Sequence, residues 1–222
     1  MTVAAVVLAP DIATALADAD GLPALRRVVQ SAWAGGALPI VVVSHSGPEG
    51  DSLAAALEGL PATLHQPKNV PPGSRWFGGG LELARDQVRE TEAALLWPAR
   101  FAWIDPETVT STIEAHGAAP ETIVRAAYRD EPGFPILVPA DLGARFLAEL
   151  ELHAFQLVEA LVAGGAALRT IELGDPGIVM DVATPRNRLP EYQGPPEPAA
   201  GPAPDWNAEL GSHVEESGAT RG

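Results

Sequence analysis

Three acids and an arginine stand where apolar runs of this chain end. Asp11 follows the run Val3–Leu8, Arg100 and Asp105 follow Ala93–Trp97, and Asp181 ends the run that begins at Gly177, just before a break at Thr184-Pro185. Carboxylates at such positions can hold Mg²⁺, which takes oxygen ligands. An arginine there can neutralise a phosphate or carboxylate through its forked donors. Two further stretches could bring backbone N–H groups close to a ligand: the turn Ala9-Pro10-Asp11 and the triplet Gly78-Gly79-Gly80, glycine having no Cβ to obstruct the approach.

Each candidate also has a plainer role. Asp105-Pro106-Glu107-Thr108 is a helix start, with Asp as N-cap, Pro in the first position and Glu in the first turn. Asp11 can cap a helix through Ala17. Arg100 can form a surface salt bridge, Asp181 can organise a turn, and the glycine triplet can be a flexible loop before a helix. The five histidines, His45, His65, His116, His153 and His213, lack the spacing of metal ligands. His45, at a strand end, could touch a ligand. No nucleophile elbow, phosphate loop of the G-x-x-x-x-G-K-[ST] kind or G-x-G-x-x-G in the first turn is present.

The elements that must position these residues alternate. Strands are expected at Val3–Leu8, Pro39–Val43, Ala62–His65, Ala93–Trp97, Thr122–Tyr128, Phe134–Val138, Leu168–Leu173 and Gly177–Val182. A helix opens at Pro23, lines Leu25, Val28, Val29 and Ala32 on one face and stops at Gly35-Gly36. Further helices are expected over Ser52–Leu60, within Gly73–Thr91 after its glycines, from Asp105 with Val109, Ile113 and His116 on one side, and over Leu142–Leu150 and Leu152–Ala163. Such alternation implies a mainly parallel sheet with helices on both faces. Ligands of such sheets bind outside the carboxyl ends of the strands, which draws attention to 9–13, 44–47, 98–104 and 181–184.

The chain has 222 residues and a formal net charge of −15. The length fits one domain, or one domain plus a tail. The charge argues against nonspecific binding to nucleic acid or an anionic membrane. There are no cysteines, so disulfides, thiolate metal sites and a cysteine nucleophile are excluded. The first ten residues carry no positive charge before their apolar run, unlike a signal peptide, and the expected location is the cytoplasm. From about residue 187 to 222 Pro, Gly, Glu and Ala dominate, the composition of a disordered acidic tail. Within it Trp206 and Leu210 could form a helical turn that docks on a protein partner.

Several phrases resemble the MobA-like nucleotidyltransferase family, whose members attach GMP or CMP to molybdopterin. GLPALRRVVQSAWAGGALPIVVVS at 21–44 matches the pattern of the family's G-x-P-L-L-x-R-V-V phrase. RWFGGGLELA at 75–84, LLWPARFAWIDPET at 95–108, GFPILV at 133–138 and DVATP at 181–185 come after it in the family's order. The likeness spans roughly residues 3–185. It implies a three-layer α/β/α fold with a mainly parallel sheet, of nucleotide-diphospho-sugar-transferase (Rossmann-like) type, over residues 1–186. It also implies a nucleotide or pterin ligand, and Mg²⁺ with a nucleoside triphosphate if activity survives.

The residues depart from the family where its chemistry sits. Its first loop has glycines, an arginine and a lysine; here that loop is Ala9-Pro10-Asp11-Ile12-Ala13-Thr14. Its first metal-binding acid falls at Arg100, its second metal position at Ala183, and its histidine at Phe134. Neither Arg100 nor Ala183 can ligate a metal, so no metal site is assigned. The resemblance therefore implies a nucleotidyltransferase framework with catalysis lost or altered. The alternative is a non-catalytic binding or scaffold protein that assists a partner enzyme or cofactor maturation.

Overall fold

The computed structural model of the chain describes residues 2–47, 50–68, 74–143 and 154–194. Its centre is β1 (Thr2–Ala9), whose Ala4, Ala5, Val6 and Val7 have no exposed surface. A strand with apolar side chains on both faces can sit only inside a covered sheet. Parallel to it run β2 (Ile40–Ser44) on one side and β4 (Thr91–Pro98) on the other, with Val6 opposite Val41 and Leu96. β3 (Ala62–His65) extends the sheet parallel to β2.

Past β4 the sheet changes direction. β6 (Glu131–Pro139) lies antiparallel to both β4 and β5 (Ile123–Tyr128), and β7 (Leu168–Glu172) pairs parallel with β5. Among the described residues the order is β3-β2-β1-β4-β6-β5-β7. The reversal comes from a tight turn at Arg129 and Asp130, both with positive φ (51° and 65°). That backbone matches the twist of a two-residue hairpin. The Glu172 carboxylate of β7 accepts hydrogen bonds from the amides of both turn residues.

The helices follow the apolar spacing. α1 (Ile12–Ala15) is a single turn. α2 (Ala24–Ala34) buries Leu25, Val28, Val29 and Ala32 as expected and ends at Gly35. A Cβ on Gly35 would lie 2.4 Å from Val109 Cβ, so this glycine also lets α2 approach α5 (Pro106–Gly117). α3 (Gly50–Leu57), α6 (Ala140–Gly143) and α7 (Ala154–Ala163) complete the layers. The expected helix over 142–150 overlaps α6 at its first residues, and 144–153 lie outside the described residues.

Two expectations change. Gly78-Gly79-Gly80 do not precede a helix; they lie inside α4 (Ser74–Gln87). A Cβ on Gly80 would stand 2.6 Å from Val6 Cγ1 and 3.0 Å from Val43 Cγ2, so the helix packs directly on the sheet there. The run from Gly177 is not a strand. Pro176–Ile178 form a 3₁₀ turn whose cap, Asp175, accepts a hydrogen bond from Gly177 N at 2.8 Å. Its apolar character comes from burying Ile178 against Ala126 and Tyr128.

The chain beyond residue 186 stays against the domain as far as it is described. Gln193 N donates to Gly174 O at 2.8 Å, and the Tyr192 hydroxyl lies 3.3 Å from Glu107 Oε2. Trp206 and Leu210 lie outside the described residues. Among those residues no helix is long and apolar enough to cross a membrane.

Candidate functional site

The carboxyl ends of β1, β2 and β4 lie side by side, on the edge where a parallel sheet of this kind takes ligands. The first loop into it, Ala9-Pro10-Asp11, turns inward on itself. Asp11 is extended and caps α1: Oδ1 accepts from Ala13 N at 3.1 Å and Oδ2 from the Thr14 hydroxyl. The following amides are also engaged, Ala15 N on Asp11 O, Leu16 N on Ile12 O and Ala17 N on Thr14 O. With Ala13 N taken by its own cap and Pro10 having no amide to offer, the loop sets a carboxylate where a phosphate would bind.

Arg100 and Asp181 come together at the end of β4. Val182 N donates to Arg100 O at 2.8 Å, which lays the segment 181–184 beside the strand end. Arg100 Nε then stands 3.8 Å from Asp181 Oδ2, with both side chains partly exposed. The other oxygen of Asp181 accepts from Ala183 N at 3.0 Å, so the acid also organises its own turn. The Trp103 indole N–H reaches the carbonyls of Asp181 and Thr184, each at 3.0 Å, and pins that turn. Arg100 lies 4.9 Å over the Phe101 ring, which packs on Phe134 at 4.8 Å.

These residues do not fit a divalent metal. Mg²⁺ needs several anionic or carbonyl oxygens around one point. Here Asp181 faces a guanidinium, the neighbouring Ala183 has no ligand atom, and among the described residues no three His, Cys, Asp or Glu side chains gather.

Asp105 lies apart from that pair. It is the N-cap of α5, its Oδ1 accepting from Glu107 N at 3.0 Å, while its own amide donates to Asp175 Oδ2 at 2.9 Å. Gly78 and Gly79 share α4 with Gly80, and Gly79 faces the His65 ring, whose Nε2 lies 3.7 Å from the place of a Cβ. His45 stands edge-on to Trp76, ring centres 4.8 Å apart. At the end of β2 the Ser44 hydroxyl is buried and has no hydrogen-bond partner among the described residues.

Two features escape a reading of the sequence alone. Asp175 is buried and accepts from Asp105 N, from the Thr108 hydroxyl at 2.7 Å and from Gly177 N. Burial pushes its carboxyl above the ordinary range, against the pull of those bonds. The Asp-Pro pair at 175–176 repeats the cap signature at 105–106 and could have pointed to it. The second is the meeting of Asp20 with Arg27 at 3.2 Å and Arg186 at 3.0 Å. No spacing along the chain foretells the contact of Asp20 with Arg186, 166 residues away.

A family model described as MobA-like NTP transferase domain matches residues 14–166, more than half of the chain. Solved structures agree in fold. A nucleotidyl transferase from Methanothermobacter thermautotroptrophicus superposes with a TM-score of 0.68 at 18% identity, covering 82% of this chain and 91% of that one. Rv0371c from Mycobacterium tuberculosis H37Rv, in complex with manganese, gives 0.60 at 16% identity, covering 78% and 88%. A 4-diphosphocytidyl-2C-methyl-D-erythritol synthase from Anaerococcus prevotii gives 0.64 at 13%, covering 82% and 93%. A search of curated proteins returned no match.

Proposed function

Because this chain belongs to the MobA-like NTP transferase family, we propose that it descends from enzymes that attach CMP or GMP to molybdopterin and has lost or altered their catalysis. The observation that carries this reading is the 3.8 Å approach of Arg100 to Asp181 at the strand end. A transferase of this kind must neutralise a triphosphate and stabilise charge at the attacked phosphorus, for which a metal between carboxylates is the usual device. Here a fixed cation stands against the remaining acid and repels a metal. The first loop adds a second negative group, the Asp11 carboxylate that caps α1. Loss of several such devices together removes far more transition-state stabilisation than any one of them.

Addition of CTP, GTP or ATP with Mg²⁺ to the full chain tests this through the thermal midpoint and pyrophosphate release. A nucleotide held at 100 times its Kd adds about 2.7 kcal/mol. We expect no magnesium-dependent release of pyrophosphate. Sustained release would overturn the reading. A midpoint shift with one nucleotide, lost in Asp181→Ala, assigns an altered ligand site; no shift with any of them assigns a binding or scaffold role.

A further inference from the structure

We propose that Arg27 and Arg186 form a clamp for the phosphate group of a ligand, and that Asp20 is an internal occupant which the ligand displaces. Two guanidinium groups, one from α2 and one from the turn after Thr184-Pro185, converge on a single oxygen, Asp20 Oδ2, at 3.2 and 3.0 Å. Arg27 is held by two further contacts and is partly buried. Its Nε donates to Ala19 O at 2.7 Å, its guanidinium lies 5.5 Å over the Trp103 ring, and its side chain is only 24% exposed. Trp103 also grips the carbonyls of Asp181 and Thr184, and so fixes the segment that carries Arg186.

Two positive groups at this separation repel. Burial and the neighbouring Arg186 both hold the Arg27 guanidinium below its ordinary pKa, and Asp20 acts against them. The arrangement therefore calls for an anion between the arginines. Asp20 meets that demand incompletely. It sits on an exposed turn with φ +62°, beside Gly21 at +81°. Its side chain is 52% exposed, so solvent and ligand reach it. One carboxylate oxygen engages one nitrogen from each arginine, whereas a phosphate offers three oxygens to two planar forks. The clamp lies beside the turn at the end of β4, since the same tryptophan touches Arg27 and the Asp181 turn. It requires no metal and stands independently of the nucleotidyltransfer reading.

Titration of the full chain with inorganic phosphate, at constant ionic strength and with EDTA, tests the clamp through the thermal midpoint. Asp20→Gly suits the positive φ and removes the internal competitor. It should lower the half-saturating phosphate concentration at least about ten-fold relative to wild type, the change expected from about 1.4 kcal/mol of relieved competition. Asp20→Gly combined with Arg186→Gln should lose the response. Acetate should act more weakly than phosphate; an equal response overturns the assignment to phosphate. The same phosphate dependence in wild type and both variants would be a general salt effect and overturns the clamp. If Asp20→Gly does not fold, the wild type must show a saturable phosphate response that Arg186→Gln removes, and its absence equally overturns the clamp.

Discussion

Asp175 and the Arg100–Asp181 pair put charged groups to opposite uses. Asp175 is 2% exposed and ties the 3₁₀ turn to the first turn of α5 through three donors. Removing the acceptor strands Asp105 N, the Thr108 hydroxyl and Gly177 N, at about 1–3 kcal/mol for each buried donor left without a partner. Partial relaxation leaves Asp175→Ala less stable by about 3 kcal/mol in chemical denaturation. Its carboxyl also gives a pH signature. Because its folded pKa is raised above the ordinary 3.8, the native state holds this proton more tightly. The contribution is fully present below 3.8 and declines as pH rises through the folded pKa. The stability of wild type relative to Asp175→Asn should therefore fall with pH over that interval and then stay flat to neutrality; a rise would contradict the assignment. Arg100 and Asp181, by contrast, meet at 3.8 Å with both side chains partly exposed. Such a pair contributes at most about 1 kcal/mol. Arg100→Ala should leave the denaturation midpoint nearly unchanged, so that its consequence lies in what the strand end can bind.

Neighbouring glycines in α4 separate two roles that a glycine run conceals. In a helix interior a glycine costs about 1 kcal/mol relative to alanine. Gly79→Ala regains that amount, since the new methyl meets nothing nearer than His65 Nε2 at 3.7 Å. Gly80→Ala meets Val6 and Val43 of the sheet at 2.6 and 3.0 Å, and overpacking of a dense core costs about 1–3 kcal/mol. Thermal denaturation should show Gly79→Ala stabilised and Gly80→Ala destabilised; equal shifts would mean that α4 does not press on the sheet. This also marks what the sequence discloses. Apolar spacing placed β1, α2, β2, β3 and β4, because each buries a face or a whole strand, and Asp105-Pro106 placed the start of α5. Composition could not tell a glycine loop from a glycine-faced helix, since both need the missing Cβ. Nor could it show the reversal of β6, made by Arg129-Asp130 with help from a carboxylate on β7. Arg100 and Asp181 were legible singly, through the apolar runs they follow, although the run before Asp181 forms a 3₁₀ turn and not a strand. Their contact, and that of Asp20 with Arg186, arises only when the segment after Asp181 folds back on the domain.

Across the whole molecule, the segment 187–194 acts as a strap over the start of α5. It is joined to the body by Gln193 N on Gly174 O at 2.8 Å and by the Tyr192 hydroxyl beside Glu107. The approach at Gly174 is too close for a side chain, since a Cβ there would fall 2.0 Å from Gln193 O. A chain ending at residue 186 should therefore be less stable than one ending at 194 by about 1–2 kcal/mol, the worth of a hydrogen bond or two and part of one aromatic side chain. Comparing these two truncations isolates the strap from everything after it. Tyr192 supplies a second readout. Burial, followed by the charges of Asp105, Glu107 and Asp175, raises its phenol above the ordinary 10. The folded state thus favours the neutral phenol. The strap's contribution is complete below pH 10 and is lost as pH rises beyond it. Wild type should lose stability above pH 10 faster than Tyr192→Phe, and shortening to 186 should abolish that difference. Parallel alkaline profiles for wild type and Tyr192→Phe would show that the phenol, and with it the strap, does not bear on the acids at the head of α5.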